Sequence, residues 1–162
     1  MHDGYLFTLG ICGSTEEDDP APVVLNQLLA TLPPVKRAAF LGRLPSDQPD
    51  QLLADVVADM RDAELIIIVA PATTPQLPNR LDNLLRATYA AGISGRYALL
   101  VTIGRHAPAV LQQLQAVTAT CGLMITAAHA LADHDPPPVT SAQAAYATAR
   151  TNLAPNALPR SH

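Results

Sequence analysis

The run Leu65-Ile66-Ile67-Ile68-Val69-Ala70 restricts what this chain can fold into more than any other segment. Successive side chains of a strand point to opposite faces, so a run that is apolar at every position needs cover on both. The expectation is a central strand of a parallel sheet, with helices on each side. Even extended to Pro71, the run is far shorter than the roughly 20 apolar residues that span a bilayer.

The rest of the chain alternates in the way such a sheet requires. Strand-like runs are Tyr5–Ile11 (YLFTLGI), Val35–Leu41 (VKRAAFL), Tyr97–Ile103 (YALLVTI) and Gly122–Ala130 (GLMITAAHA). Between and after them lie helical stretches: Pro22–Leu32, Asp50–Ala63, Asn79–Ala91, Pro108–Cys121 and the Ala-rich Val139–Leu153. In the first, Val23, Leu25, Leu28, Leu29 and Leu32 share one helical face; in the second, Leu52, Leu53, Val56, Val57 and Met60 do. Asp19 is a candidate cap for the first helix, and Pro20 suits its first turn. Pro136-Pro137-Pro138 reads as a linker. Residues 1–154 are expected to form a single domain, with 155–162 as a flexible C-terminal tail.

Composition narrows the partners. With 162 residues, 49% of them apolar, the chain can bury one substantial core. A net charge of −4, with no Lys/Arg cluster, argues against nucleic acid and anionic membrane surfaces and leaves a small-molecule ligand. No basic segment precedes the first strand, so a secretory signal is not expected. Cys12 and Cys121 are too few for a disulfide framework, and a cytoplasmic location is the simplest expectation.

Five β-α units with right-handed crossovers give a doubly wound five-stranded parallel sheet, order 2-1-3-4-5, with helices on both faces. In that topology a ligand crevice opens where strands 1 and 3 diverge, at their carboxyl ends. The loops expected there are Gly10–Asp19, Pro71–Pro78 and Gly104–Ala107.

The first loop, Gly10-Ile11-Cys12-Gly13-Ser14-Thr15, supplies small residues, backbone N–H groups and hydroxyls between a strand and a helix. Those groups suit a phosphate at a helix N-terminus, and they equally suit a simple helix cap. The loop matches neither the Walker pattern nor the Gly-x-Gly-x-x-Gly fingerprint.

The succession LGICGS, then LIIIVAPATTPQLPNRLDNLL, then YALLVTIG resembles the NADPH-dependent FMN reductases of the flavodoxin-like fold, over roughly residues 5 to 130. The resemblance implies an NAD(P)H-dependent flavin (FMN) reductase-like oxidoreductase that passes hydride from nicotinamide to bound flavin. It implies FMN as cofactor and NAD(P)H as co-substrate. Carried onto this chain, Gly13, Ser14 and Thr15 would hold the FMN phosphate. Pro71, Ala72, Thr73 and Thr74 would border the ring, and Gly104, Arg105 and His106 would close its far side. Family members are commonly dimers or tetramers, so a homodimer or homotetramer is expected, through the Leu84–Tyr89 stretch or the Ala-rich last helix. Such chemistry needs no acid–base pair, and no catalytic side chain is singled out.

This chain departs from the family at three places. Where the family carries Arg or Ser after Gly-Ser, it continues Thr15-Glu16-Glu17-Asp18-Asp19, and this run is expected to weaken phosphate binding. The Ala72-Thr73-Thr74-Pro75 loop brings no aromatic ring to stack on a flavin. Arg105-His106 replaces a Gly-rich stretch; a cation there would stabilise an anionic reduced ring, and the alternative is that Arg105 is a surface residue and His106 a helix-start residue. Thr73 and Thr74 suit a flavin's pyrimidine edge or their own loop backbone. The alternative function is therefore a flavodoxin-like domain that has lost FMN binding and acts as a binding or assembly module.

Remaining polar groups carry less. Cys12 is expected to be a small buried residue rather than a reactive thiolate. His129, Asp133, His134 and Asp135 read as a solvated loop, and no metal is assigned. Response regulators share the topology, yet need an Asp at the end of strand 3; here that strand ends Val69-Ala70-Pro71.

Overall fold

The computed structural model describes residues 5–14, 19–43 and 49–157. Five strands, β1 (Thr8–Cys12), β2 (Lys36–Phe40), β3 (Leu65–Pro71), β4 (Tyr97–Ile103) and β5 (Met124–Leu131), form one sheet in the order β2-β1-β3-β4-β5. Every pairing is parallel. Helices α1 (Ala21–Ala30), α2 (Pro49–Asp62), α3 (Asn79–Ala90), α4 (Ala107–Thr120) and α5 (Val139–Ala157) alternate with the strands. This is the doubly wound architecture that the sequence predicts.

The alternation within β3 builds both cores. Ile66, Ile68 and Ala70 pack on one face with Met60 of α2, Leu81, Leu84 and Leu85 of α3, and Val110 and Leu114 of α4. Leu65, Ile67 and Val69 pack on the other with Leu25 and Leu28 of α1 and Ala142, Ala145 and Tyr146 of α5. All six residues from Leu65 to Ala70 are fully buried. Gly10 lets α1 lie close on β1: a Cβ there would stand 2.8 Å from Leu25 Cδ1 and 2.9 Å from Leu29 Cδ1.

The element ends differ from the sequence reading for local reasons. β1 starts at Thr8 rather than Tyr5, because the Leu6 N–H donates to the Tyr146 hydroxyl at 2.8 Å instead of entering the ladder. β5 contains a bulge in its pairing with Ala98 and Leu99, where the Thr126 hydroxyl donates to the Ala98 carbonyl at 3.1 Å. The carboxyl end of α1 has no glycine stop; Lys36 Nζ donates to the Leu29 and Leu32 carbonyls at 2.6 and 3.0 Å. The last helix continues past Leu153 through Pro155 to Ala157.

Candidate functional site at the carboxyl ends of the strands

The loops after β1, β3 and β4 are joined by backbone hydrogen bonds. Gly13 N–H donates to the Val69 carbonyl at 2.9 Å, extending the β1–β3 ladder. Ala72 N–H donates to the Ile103 carbonyl at 2.8 Å, and the Ala72 carbonyl accepts the His106 N–H at 2.8 Å. Gly104 makes that closure possible. Its φ is +133°, and a Cβ would sit 2.9 Å from the Ala72 carbonyl oxygen.

The turn beyond Ala72 is fixed from a distance. Gln113, on α4, accepts the Leu77 N–H at 3.1 Å and donates to the Pro75 carbonyl at 2.6 Å. One carboxamide thus holds both sides of the turn. Thr74 Oγ1 accepts the Gln76 N–H at 3.4 Å, so this hydroxyl serves its own loop. Nothing in the sequence marks Gln113, which lies 36 residues from Leu77.

Between the first loop and this turn lies a cleft of about 230 Å³. Gly13 and Asp19 form one side; Pro71, Thr73, Thr74 and Gln76 form the other, and Leu77, Pro78 and Asn79 close it at the start of α3. Pro78 and Asn79 bring the start of α3, and with it the positive end of that helix's dipole, to the cleft, and the Pro78 N-cap makes no side-chain cap bond. No Lys or Arg lines the cleft among the described residues.

The sequence-predicted residues are only partly gathered here. Gly13, Pro71, Thr73 and Thr74 line the cleft, with Thr73 and Thr74 exposed. Ser14 is buried beside Gly13, and Ala72 is buried behind the turn. Gly104 and His106 support the turn through Ala72 rather than lining the cleft. Arg105 is exposed and outside the lining. Thr15, like Glu16, Glu17 and Asp18, lies outside the described residues. Asp19 does act as a cap: its Oδ1 accepts the Ala21 N–H at 3.0 Å, from one position before the Pro20 N-cap.

Among the described residues, the start of α1 offers few donors to the phosphate of FMN. A phosphate there needs free helix N–H groups. Pro20 and Pro22 have none, Asp19 takes that of Ala21, and Val24 N–H donates to the Pro20 carbonyl at 3.1 Å. Within that first turn only Val23 remains as a donor.

The other polar candidates lie elsewhere. His129 Nε2 is 2.7 Å from Ser141 Oγ, and Asp135 Oδ2 accepts the Ala132 N–H at 2.8 Å. No cluster of three His, Cys, Asp or Glu side chains that could hold a metal occurs among the described residues. Cys12 and Cys121 are both buried. Burial pushes the Cys121 thiol above its ordinary pKa, which makes it a poorer nucleophile.

A larger hollow, about 590 Å³, opens at the amino ends of β1 and β2, between Tyr5, Lys36, Arg37 and Glu64. Its cations are already engaged: Lys36 with α1 carbonyls, Arg37 with Asp59 at 2.9 Å. Burial raises the Glu64 carboxyl above the ordinary glutamate range, against the opposing pull of the Phe7 N–H and Arg96. A carboxyl so raised costs stability once pH climbs past the unfolded-state value of about 4.3. Glu64→Gln is therefore expected to be more stable than wild type at pH 7, with the advantage shrinking toward pH 4. Urea unfolding at both values checks this; an advantage that grows on acidification contradicts it.

Strand order and cleft together define a flavodoxin-like α/β fold. An apo NADH:FMN oxidoreductase shares it, with a TM-score of 0.70 at 17% identity, over 91% of this chain and 90% of that one. A flavodoxin from Streptococcus pneumoniae matches with a TM-score of 0.62 at 9% identity, over 93% of this chain and 99% of its own. An oxidoreductase from Corynebacterium diphtheriae matches with 0.63 at 12%, over 90% and 93%. No protein-family model and no curated protein sequence matches the chain. Among the described residues, no helix is long and apolar enough to cross a membrane.

Proposed function

We propose that this chain is a flavin-related oxidoreductase of the NAD(P)H-dependent reductase type, with flavin as an exchangeable substrate. The observation that carries this reading is the cleft itself. It lies at the carboxyl ends of β1 and β3, where the strand order reverses and where doubly wound folds bind ligands. Fold neighbours named as an NADH:FMN oxidoreductase and a flavodoxin support it.

The chain's part in such chemistry is positional. Gly13 lines one side of the cleft, and the Gln113-held turn sets the opposite side. The uncapped start of α3 favours a polarised carbonyl edge over an apolar one. Hydride transfer from nicotinamide to a stacked flavin requires this placement and no side-chain acid or base.

A second reading is a flavodoxin-like binding or assembly module without flavin. A cleft that no Lys or Arg lines among the described residues, and the donor-poor start of α1, favour it. Oxidation of NADH and NADPH, measured with and without added riboflavin or FMN, separates the two. Flavin-dependent oxidation above the free-flavin background supports the reductase. No oxidation, with no quenching of flavin fluorescence, leaves the module.

A homodimer or homotetramer and a cytoplasmic location belong to the same proposal. The apolar side of α5 is spent on the core, through Ala142, Ala145, Tyr146 and Ala149. On α3, Leu84 and Leu85 are buried while Tyr89 is 62% exposed, which points to Tyr89 for assembly. Sedimentation of wild type and Tyr89→Asp tests this; an unchanged mass contradicts it.

A further inference from the structure

We propose that Asp19 acts as a built-in anion at the start of α1, so that the cleft selects an unphosphorylated flavin over FMN. The inference rests on the reductase reading and specifies its substrate. Asp19 both lines the cleft and occupies the Ala21 N–H with Oδ1 at 3.0 Å. A phosphate arriving there meets a carboxylate in place of a donor. The remaining first-turn groups do not compensate, since Pro20 and Pro22 lack N–H groups and the Val24 N–H is bonded to Pro20.

Charge acts in the same direction. No cationic side chain lines the cleft among the described residues, and Asp19 is the one charged side chain in that lining. Two like charges in contact repel by about a kcal/mol even in water-like surroundings, and by more near a protein surface, so a dianion is penalised about tenfold or more. Riboflavin presents the same ring without that charge. The inference thus sets a direction of preference that is opposite to that of a phosphate-binding loop.

The test titrates riboflavin and FMN into wild type, Asp19→Asn and Asp19→Ser, following flavin fluorescence at low and moderate salt. The amide of Asn and the hydroxyl of Ser keep an acceptor for the helix start, so both variants should fold. Wild type is expected to bind riboflavin about tenfold tighter than FMN. Each variant should close most of that gap by improving FMN while leaving riboflavin unchanged, and added salt should narrow the gap in wild type. FMN binding as tightly as riboflavin in wild type overturns the inference and leaves the reductase reading standing. Equal changes for both flavins in the variants overturn it as well. Failure of wild type to bind either flavin overturns both the inference and the reductase reading.

Discussion

Gly104→Ala is expected to lower stability by roughly 2–6 kcal/mol and to loosen the turn that walls the cleft. Two costs combine. A φ of +133° lies in a region that L side chains rarely adopt, at about 1–3 kcal/mol. The new Cβ would press on the Ala72 carbonyl oxygen from 2.9 Å, and the overpacking adds about 1–3 kcal/mol. That oxygen accepts the His106 N–H, so relief of the contact pulls apart the loops after β3 and β4. Urea unfolding gives the stability change, and hydrogen exchange at His106 and Leu77 reports the loosening. A variant with wild-type stability and wild-type exchange would show that the Gly104–Ala72 contact does not constrain the turn.

Ile68→Ala should be of similar severity, at about 2–5 kcal/mol, for a different reason. Ile68 is fully buried on the central strand, amid the core shared by α2, α3 and α4. Removing its outer carbons leaves a cavity that neither neighbouring strand can fill by moving. A 162-residue domain has a total stability of about 5–15 kcal/mol, so this single change removes a large share. Thermal or urea unfolding checks it. A loss under about 1 kcal/mol would mean that β3 is not the packed spine between two helix layers.

The same strand explains why the fold was readable. Its two-sided apolarity demanded helices on both faces, and the alternating segments on either side left the doubly wound sheet as the economical arrangement. The loops that meet at the crevice followed from topology. Which side chains enter the crevice did not. Asp19 was legible as a cap because Asp before a helix has a local meaning. Its second role, lining the cleft, depends on where the fold sets the start of α1 against the loop after β3. Gln113 carries no local signal, since a polar residue on an exposed helix face usually meets water, and its partners Pro75 and Leu77 are remote in sequence. Tyr146 is more extreme: its bond to Leu6 spans 140 residues and displaces the start of β1. Gly104, which the resemblance sets against a flavin ring, meets the Ala72 carbonyl in the fold, an approach that no local signal marks. Arg105 follows β4 at the same end of the sheet and lies outside the cleft lining.

Amide chemical-shift mapping of the wild-type chain titrated with riboflavin tests the central claim most directly. Binding at the carboxyl ends of the strands should move the resonances of Gly13, Thr73, Thr74, Gln76 and Leu77, which surround the cleft. Those of Phe7, Lys36, Arg37 and Glu64, around the hollow at the amino ends, should stay in place. Shifts confined to that second group, or no shifts at saturating riboflavin, would contradict a flavin site at the β1–β3 crevice.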